Sequence, residues 1–114
     1  MGDVLFTTIE AQELARREAG RRYLEFLRVP DLSVGLYRLE AGTTDPQQPH
    51  GEDEVYVVTG GRGRFRAGAE EREVGPGSVL FVPAGMEHRF VDVREALEVL
   101  VVFGPAEGSR SAAS

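Results

Sequence analysis

His50 and His88 are the only histidines in this 114-residue chain. Each stands in a segment that also carries groups a metal site needs. His50 opens the run His50-Gly-Glu-Asp-Glu54, and Tyr56 follows at once on the same alternation. His88 closes a run that passes through Gly77, Pro83 and Gly85. Neutral imidazole plus carboxylate is a mixed nitrogen and oxygen ligand set that suits Fe, Mn, Ni, Co or Zn. With so few candidates, any chemistry is expected between these two segments.

Composition removes several alternatives. There is no cysteine, so thiol nucleophiles, disulfides and thiolate metal sites are excluded. All 13 basic residues are arginine, which excludes Schiff-base chemistry and a P-loop lysine from this chain. The formal net charge of -6 argues against nucleic acid or an anionic membrane as a main partner. The N-terminus lacks the charge pattern of a signal peptide, and no stretch has the length and apolarity of a membrane span. A cytoplasmic location is the default expectation.

The histidines must be placed by their surroundings. Side chains alternate across a strand, so Gln48, His50, Glu54, Tyr56 and Val58 share a face if one extended segment runs through them. At roughly 3.3 Å per residue, His50 and Glu54 would then lie about 13 Å apart. No single ion bridges that gap. The Gly51-Glu52-Asp53 stretch must therefore bend, and Glu52 and Asp53 read as a solvated turn. Asp45 and Gln47 lie nearby and could serve either as ligands or as supports of the ligands.

Residues 1–20 are expected to form a helical segment, with Thr7 and Glu10 at capping-box spacing and Gly20 as its stop. Apolar or alternating runs follow at 22–29, 32–40, 55–59, 63–67, 71–74, 79–82, 88–93 and 97–103, mostly separated by Gly or Pro. Such a density of short strands indicates an all-β sandwich or barrel over residues 21–104. Gly60-Gly61-Arg62-Gly63 reads as a hairpin turn and residues 105–114 as a flexible tail. Tyr37, Tyr56, Phe81, Phe90 and Phe103 are expected to line the barrel, and Phe90 and Asp92 to share the face of His88.

The two histidine segments resemble the two sequence motifs of the cupin superfamily. The first motif is Gly, five residues, His-x-His, three or four residues, Glu, six residues, Gly. Here it runs from Gly42 through Gln48, His50 and Glu54 to Gly61. The second is Gly, five residues, Pro-x-Gly, two residues, His, three residues, Asn. Here it runs from Gly77 through Pro83, Gly85 and His88 to Asp92. Fifteen residues separate the two. Gln48 replaces the first motif histidine and Asp92 the final asparagine.

The resemblance implies a cupin-type jelly-roll β-barrel behind a short N-terminal helix. It implies one divalent transition-metal ion (Fe, Mn, Ni or Zn) held by His50, Glu54 and His88. Gln48 would be a further ligand through its amide oxygen, weaker than imidazole. It further implies a homodimer in which strands such as 22–29 pair or exchange. The expected function is a metal-dependent enzyme of dioxygenase or isomerase type acting on a small organic molecule. Tyr56 is its candidate proton donor. The alternative is a non-catalytic module that binds a small ligand.

Overall fold

The computed structural model describes residues 3–46 and 49–110. Its helix, α1 (Ile9–Ala19), starts one residue later than the capping-box spacing suggests. Thr8, not Thr7, is the N-cap: its backbone is extended and its hydroxyl accepts from Ala11 N at 3.0 Å. Gly20 ends the helix in the left-handed region, where a glycine meets no Cβ penalty. No helix among the described residues is long and apolar enough to cross a membrane.

Six antiparallel strands follow: β1 (Tyr23–Val29), β2 (Leu32–Leu39), β3 (Asp53–Ala67), β4 (Glu70–Val74), β5 (Val79–Val82) and β6 (His88–Gly104). Their order is β1-β2-β6-β3-β4, with β5 also paired to β3. The segments expected as strands 55–59 and 63–67 are one continuous β3, and 88–93 and 97–103 are one continuous β6. Gly60-Gly61-Arg62-Gly63 is therefore not a hairpin turn. It is a bend inside β3, where the register against β6 shifts three times.

The bend lies where the partners of β3 change along its length within one six-stranded sheet. The first half of β3 pairs with β5 and the end of β6, and the second half with β4 and the start of β6. Gly61 turns the corner with φ 85, and a Cβ there would collide with the Ala96 carbonyl. Asp92 answers it on β6 with φ 49 and an exposed side chain, so it does not continue the inward face of His88. Phe90 does continue that face and is buried.

The core is built from inward residues of β2, β3 and β6 such as Leu39, Val58, Leu97 and Val99. Phe90 packs against Tyr56 and Phe65 with ring centroids 5.1 and 4.9 Å apart. Such aromatic pairs contribute about 0.5–1.5 kcal/mol each beyond burial. Together they form a stiff floor under His88. Phe81, expected in the barrel lining, is instead 64% exposed on the outer face of β5. The run Val79–Val82 alternates, and it is Leu80 and Val82 that turn inward.

Residues 105–110 also depart from expectation, because they lie against the barrel instead of hanging free. Glu107 N donates to Ser33 Oγ at 2.9 Å, and Arg28 Nη2 donates to Glu107 O at 2.7 Å. Gly108 N and Arg110 N donate to the two carboxylate oxygens of Glu52 at 3.1 and 2.8 Å. Glu52 is thus a buried anchor and not a solvated turn. Gly51 is needed beneath this segment, since a Cβ there would lie 2.8 Å from Arg110 O.

Candidate metal centre

Three elements bring the expected ligands together. Glu54 enters on β3 beside Tyr56, both inward by strand alternation and both essentially unexposed. His88 begins β6, just after the turn at Pro83 and Gly85. His50 lies in the bend before β3, which folds back as the strand spacing requires. Its carbonyl accepts from Gly85 N at 2.7 Å, which ties the two motif segments directly. The His50 ring stands 5.9 Å from the His88 ring and 4.9 Å from Phe103, edge to face. One ligand atom from each of His50, Glu54 and His88 lies within 4.8 Å of the others. Gln48 and Gln47 lie outside the described residues.

Among the described residues, the buried polar groups at this point compete for one proton. His88 Nδ1 donates to Met86 O at 2.8 Å, leaving Nε2 to face inward. Tyr56 Oη and Glu54 Oε1 both lie 3.1 Å from that Nε2. A neutral imidazole accepts from the Tyr56 hydroxyl and leaves Glu54 without a donor. A protonated one donates to Glu54 and leaves Tyr56 without an acceptor. Among the described residues, the close donor to Glu54 is His88 Nε2, 3.1 Å from Oε1, and it donates only when the ring is protonated. An unpaired carboxylate costs several kcal/mol to bury. A cation shared by Glu54, His50 and His88 removes that cost, so the donor set fits a metal ion.

The electrostatics agree with this arrangement. Burial pulls the His88 pKa down, but the Glu54 carboxylate and the Met86 carbonyl outweigh it, and the net shift is upward. Burial, reinforced by Glu54, pushes the Tyr56 hydroxyl far above its ordinary range, so it keeps its proton. Tyr37 is likewise raised by burial and by its hydrogen bond to Asp45.

Asp45 is a support of the site. It is fully buried and accepts from Tyr37 Oη at 2.7 Å and from Phe90 N at 2.8 Å. These bonds join the loop before His50 to β2 and to the strand that carries His88. Asp53 is exposed and accepts from Ala84 N at 2.9 Å, steadying the Pro83–Gly85 turn from outside.

A cavity of about 330 Å³ opens on one side of the triad. His50 and Glu54 form part of its wall, together with Arg22, Tyr23, Tyr37 and Glu107. Pro46, Val101 and Phe103 supply apolar surface. Burial raises the pKa of Glu107, opposed in part by His50. Sequence reasoning singled out none of Arg22, Tyr23 and Glu107. The one local signal was Gly35 in the middle of β2, a position that marks a close approach. Tyr56 and His88 are not among the residues that line the cavity.

Comparison with known proteins agrees with this architecture. The chain is 52% identical over 99 residues to an uncharacterised protein of Streptomyces coelicolor, covering 87% of this chain and 91% of that one. Among solved structures, KdgF from Halomonas sp. superposes with a TM-score of 0.67 at 21% identity, over 73% of this chain and 78% of that one. TT1209 from Thermus thermophilus gives 0.64 at 28% identity, over 75% of this chain and 85% of that one. The DMSP lyase DddQ from Ruegeria pomeroyi gives 0.65 at 21% identity, over 87% of this chain and 54% of that one. The sequence pattern of the cupin domain matches residues 35–103, the span from mid-β2 to the end of β6 that carries both histidine segments, and the chain belongs to the cupin family.

Proposed function

We propose that this protein is a metal-dependent cupin enzyme acting on a small organic molecule, with His50, Glu54 and His88 holding one divalent transition-metal ion. The observation that carries the reading is the Glu54 carboxylate, buried with two imidazoles, one ligand atom of each within 4.8 Å of the others, and with no donor for Oε2 among the described residues. Two histidines and one carboxylate leave coordination positions open, a ligand count shared with non-heme iron oxygenases. Bound there, the ion would act as a Lewis acid on a carbonyl or enolate oxygen. We assign the reaction to the dioxygenase or isomerase type. KdgF and the DMSP lyase share the fold but, at their identities, lend no substrate to this chain.

The protein's own residues prepare the site in three ways. Met86 O fixes the His88 tautomer so that Nε2 faces the triad. Asp45 and Gly85 hold the two motif segments in register. Tyr56 keeps a proton beside Nε2, available to an oxygen that binds at the triad. Gln48 is proposed as a fourth ligand through its amide oxygen.

A binding module without catalysis is the second reading. It is favoured by the absence of Tyr56, the assigned proton donor, from the cavity wall. Metal analysis of protein purified without chelator or affinity-tag nickel tests the metal centre that the first reading requires. Stoichiometric transition metal, lost in His50→Ala and His88→Ala and bound more tightly in Gln48→His, supports it. No metal at any loading would refute it.

A further inference from the structure

Most of the large apolar residues that stand exposed among the described residues fall into two short runs. The first is the segment before α1, where Val4, Leu5 and Phe6 are all exposed, Phe6 to 90%. Residues 3–7 belong to no helix or strand. The second is β5 and the turn after it, where Val79, Phe81 and Met86 are exposed, Val79 to 67%. Each run lacks what the other supplies. The first is an apolar segment without a sheet. The second is a sheet edge without a further strand, because β5 pairs with β3 and no other backbone bond joins it among the described residues.

An open edge offers a row of backbone donors and acceptors, which proteins blunt with charges, prolines or bulges. Val79–Val82 contains no charge and no proline, and its register on β3 runs without a shift. Val79 and Phe81 turn outward and alternate with Leu80 and Val82, which turn toward the core. Val4 and Phe6 alternate with Leu5 in the same way. Laid along β5, Val4 and Phe6 meet Val79 and Phe81 on the outer face, and Leu5 falls on the side of Leu80. The segment does not do this within its own chain, since Phe6 and Phe81 both remain open and α1, which follows it, packs on β1 and β2. A two-fold pair of chains supplies each segment with an edge and each edge with a segment. With large side chains exposing roughly 150–200 Å² each when wholly open, the six residues leave on the order of 700 Å² uncovered per copy. Two copies covering each other there bury about 1,400 Å², within the range of about 1,200–2,000 Å² that stable interfaces need.

We propose that two copies of this chain associate by exchanging their N-terminal segments, residues 3–7 of each adding a strand to the free edge of β5 in the other. The surface lies on the outer face of β5, opposite the inward face of Leu80 and Val82, and the association does not draw on the metal centre.

The test is sedimentation equilibrium of the full chain, paired with amide hydrogen exchange of β5. The parent should sediment at twice the chain mass, with a Kd in the micromolar range or tighter. Val4→Asp combined with Phe6→Asp should weaken the dimer by about a hundredfold or more, because each copy would then bury two unpaired carboxylates. Both positions are open to solvent in the single chain, so the variant should keep its fold, which circular dichroism checks. Phe81→Asp should have the same effect from the receiving side. Val29→Asp, exposed at the far end of β1, should leave the dimer intact. Amides of β5 that do not bond to β3 should be protected in the parent dimer and lose that protection in the Val4→Asp, Phe6→Asp variant. If Phe81→Asp unfolds this short strand, the N-terminal variant and the exchange of β5 still decide the matter. The proposal is overturned if the parent is a monomer at about 100 μM. It is equally overturned if the N-terminal variant dimerises like the parent, or if β5 exchanges alike in both.

Discussion

Replacing Glu54 with methionine should stabilise the metal-free protein while abolishing its response to metal. Glu54 is 1% exposed, and among the described residues its close donor is His88 Nε2, at 3.1 Å, only when that ring is protonated. In Glu54→Met the remaining groups are fully paired. His88 stays neutral, gives Nδ1–H to Met86 O and accepts the Tyr56 hydroxyl at Nε2. Methionine has nearly the length and volume of glutamate, so little cavity is left behind. Exchanging a buried charge for a well-packed apolar side chain is neutral or stabilising by about 1–4 kcal/mol. In a domain of this size that upper range corresponds to roughly 4–16 °C in Tm. The opposing effect is the attraction between Glu54 and a protonated His88, so the comparison is best made at about pH 9, where an ordinary imidazole is neutral. With metal at a hundredfold excess over Kd, the parent gains about 2.7 kcal/mol and the variant gains nothing. Urea titrations with chelator and with metal read both effects. If Glu54→Met loses more than about 1 kcal/mol in chelator, or still responds to metal, Glu54 is a structural residue and the reasoning fails.

Two further outcomes follow from the geometry. Only neutral imidazole ligates, and the raised pKa of His88 means that a proton competes with the metal at pH values where an ordinary histidine, near about 6.5, has already released it. Occupancy at limiting metal should therefore fall as pH drops, and begin to fall at a higher pH than an ordinary histidine ligand would give. Metal content after dialysis across pH 5.5–8.5 checks this, and a flat profile would remove His50 and His88 from the site. Gly61→Ala should cost about 2–5 kcal/mol, because a left-handed backbone and a collision with the Ala96 carbonyl add together. Gly68→Ala has a positive φ but open space around it and should cost only about 1–2 kcal/mol. Equal losses in chemical denaturation would show that β3 and β6 do not cross closely at Gly61.

Much of the site was legible because its information is local. Strand alternation placed Glu54 and Tyr56 on one inward face, and the 13 Å estimate required the bend that brings His50 back. Scarcity of histidine left His50 and His88 as the only imidazole candidates. The errors have a common origin. Glu52 reads as a solvated acid beside a glycine, and its burial depends on residues 105–110 returning more than fifty positions later to donate to it. Phe81 reads as core because aromatic residues usually are, yet the register of β5 on β3 turns Leu80 and Val82 inward and Phe81 out. The glycines after Val58 read as a turn because nothing local reveals that β6 continues beside them to support a bend.

An all-β domain can be read from the residue order alone, in short alternating runs punctuated by glycine and proline. The triad of candidate metal ligands came from the resemblance of two segments to the cupin motifs. Folding in three dimensions settled the rest. It set the Glu54 carboxylate and the Tyr56 hydroxyl to compete for His88 Nε2, each 3.1 Å from it. It built a wall of the cavity from Tyr23, Tyr37 and Glu107, three positions on β1, β2 and the C-terminal segment. No spacing rule connects those residues, because strand pairing and chain return, not sequence proximity, put them around one space.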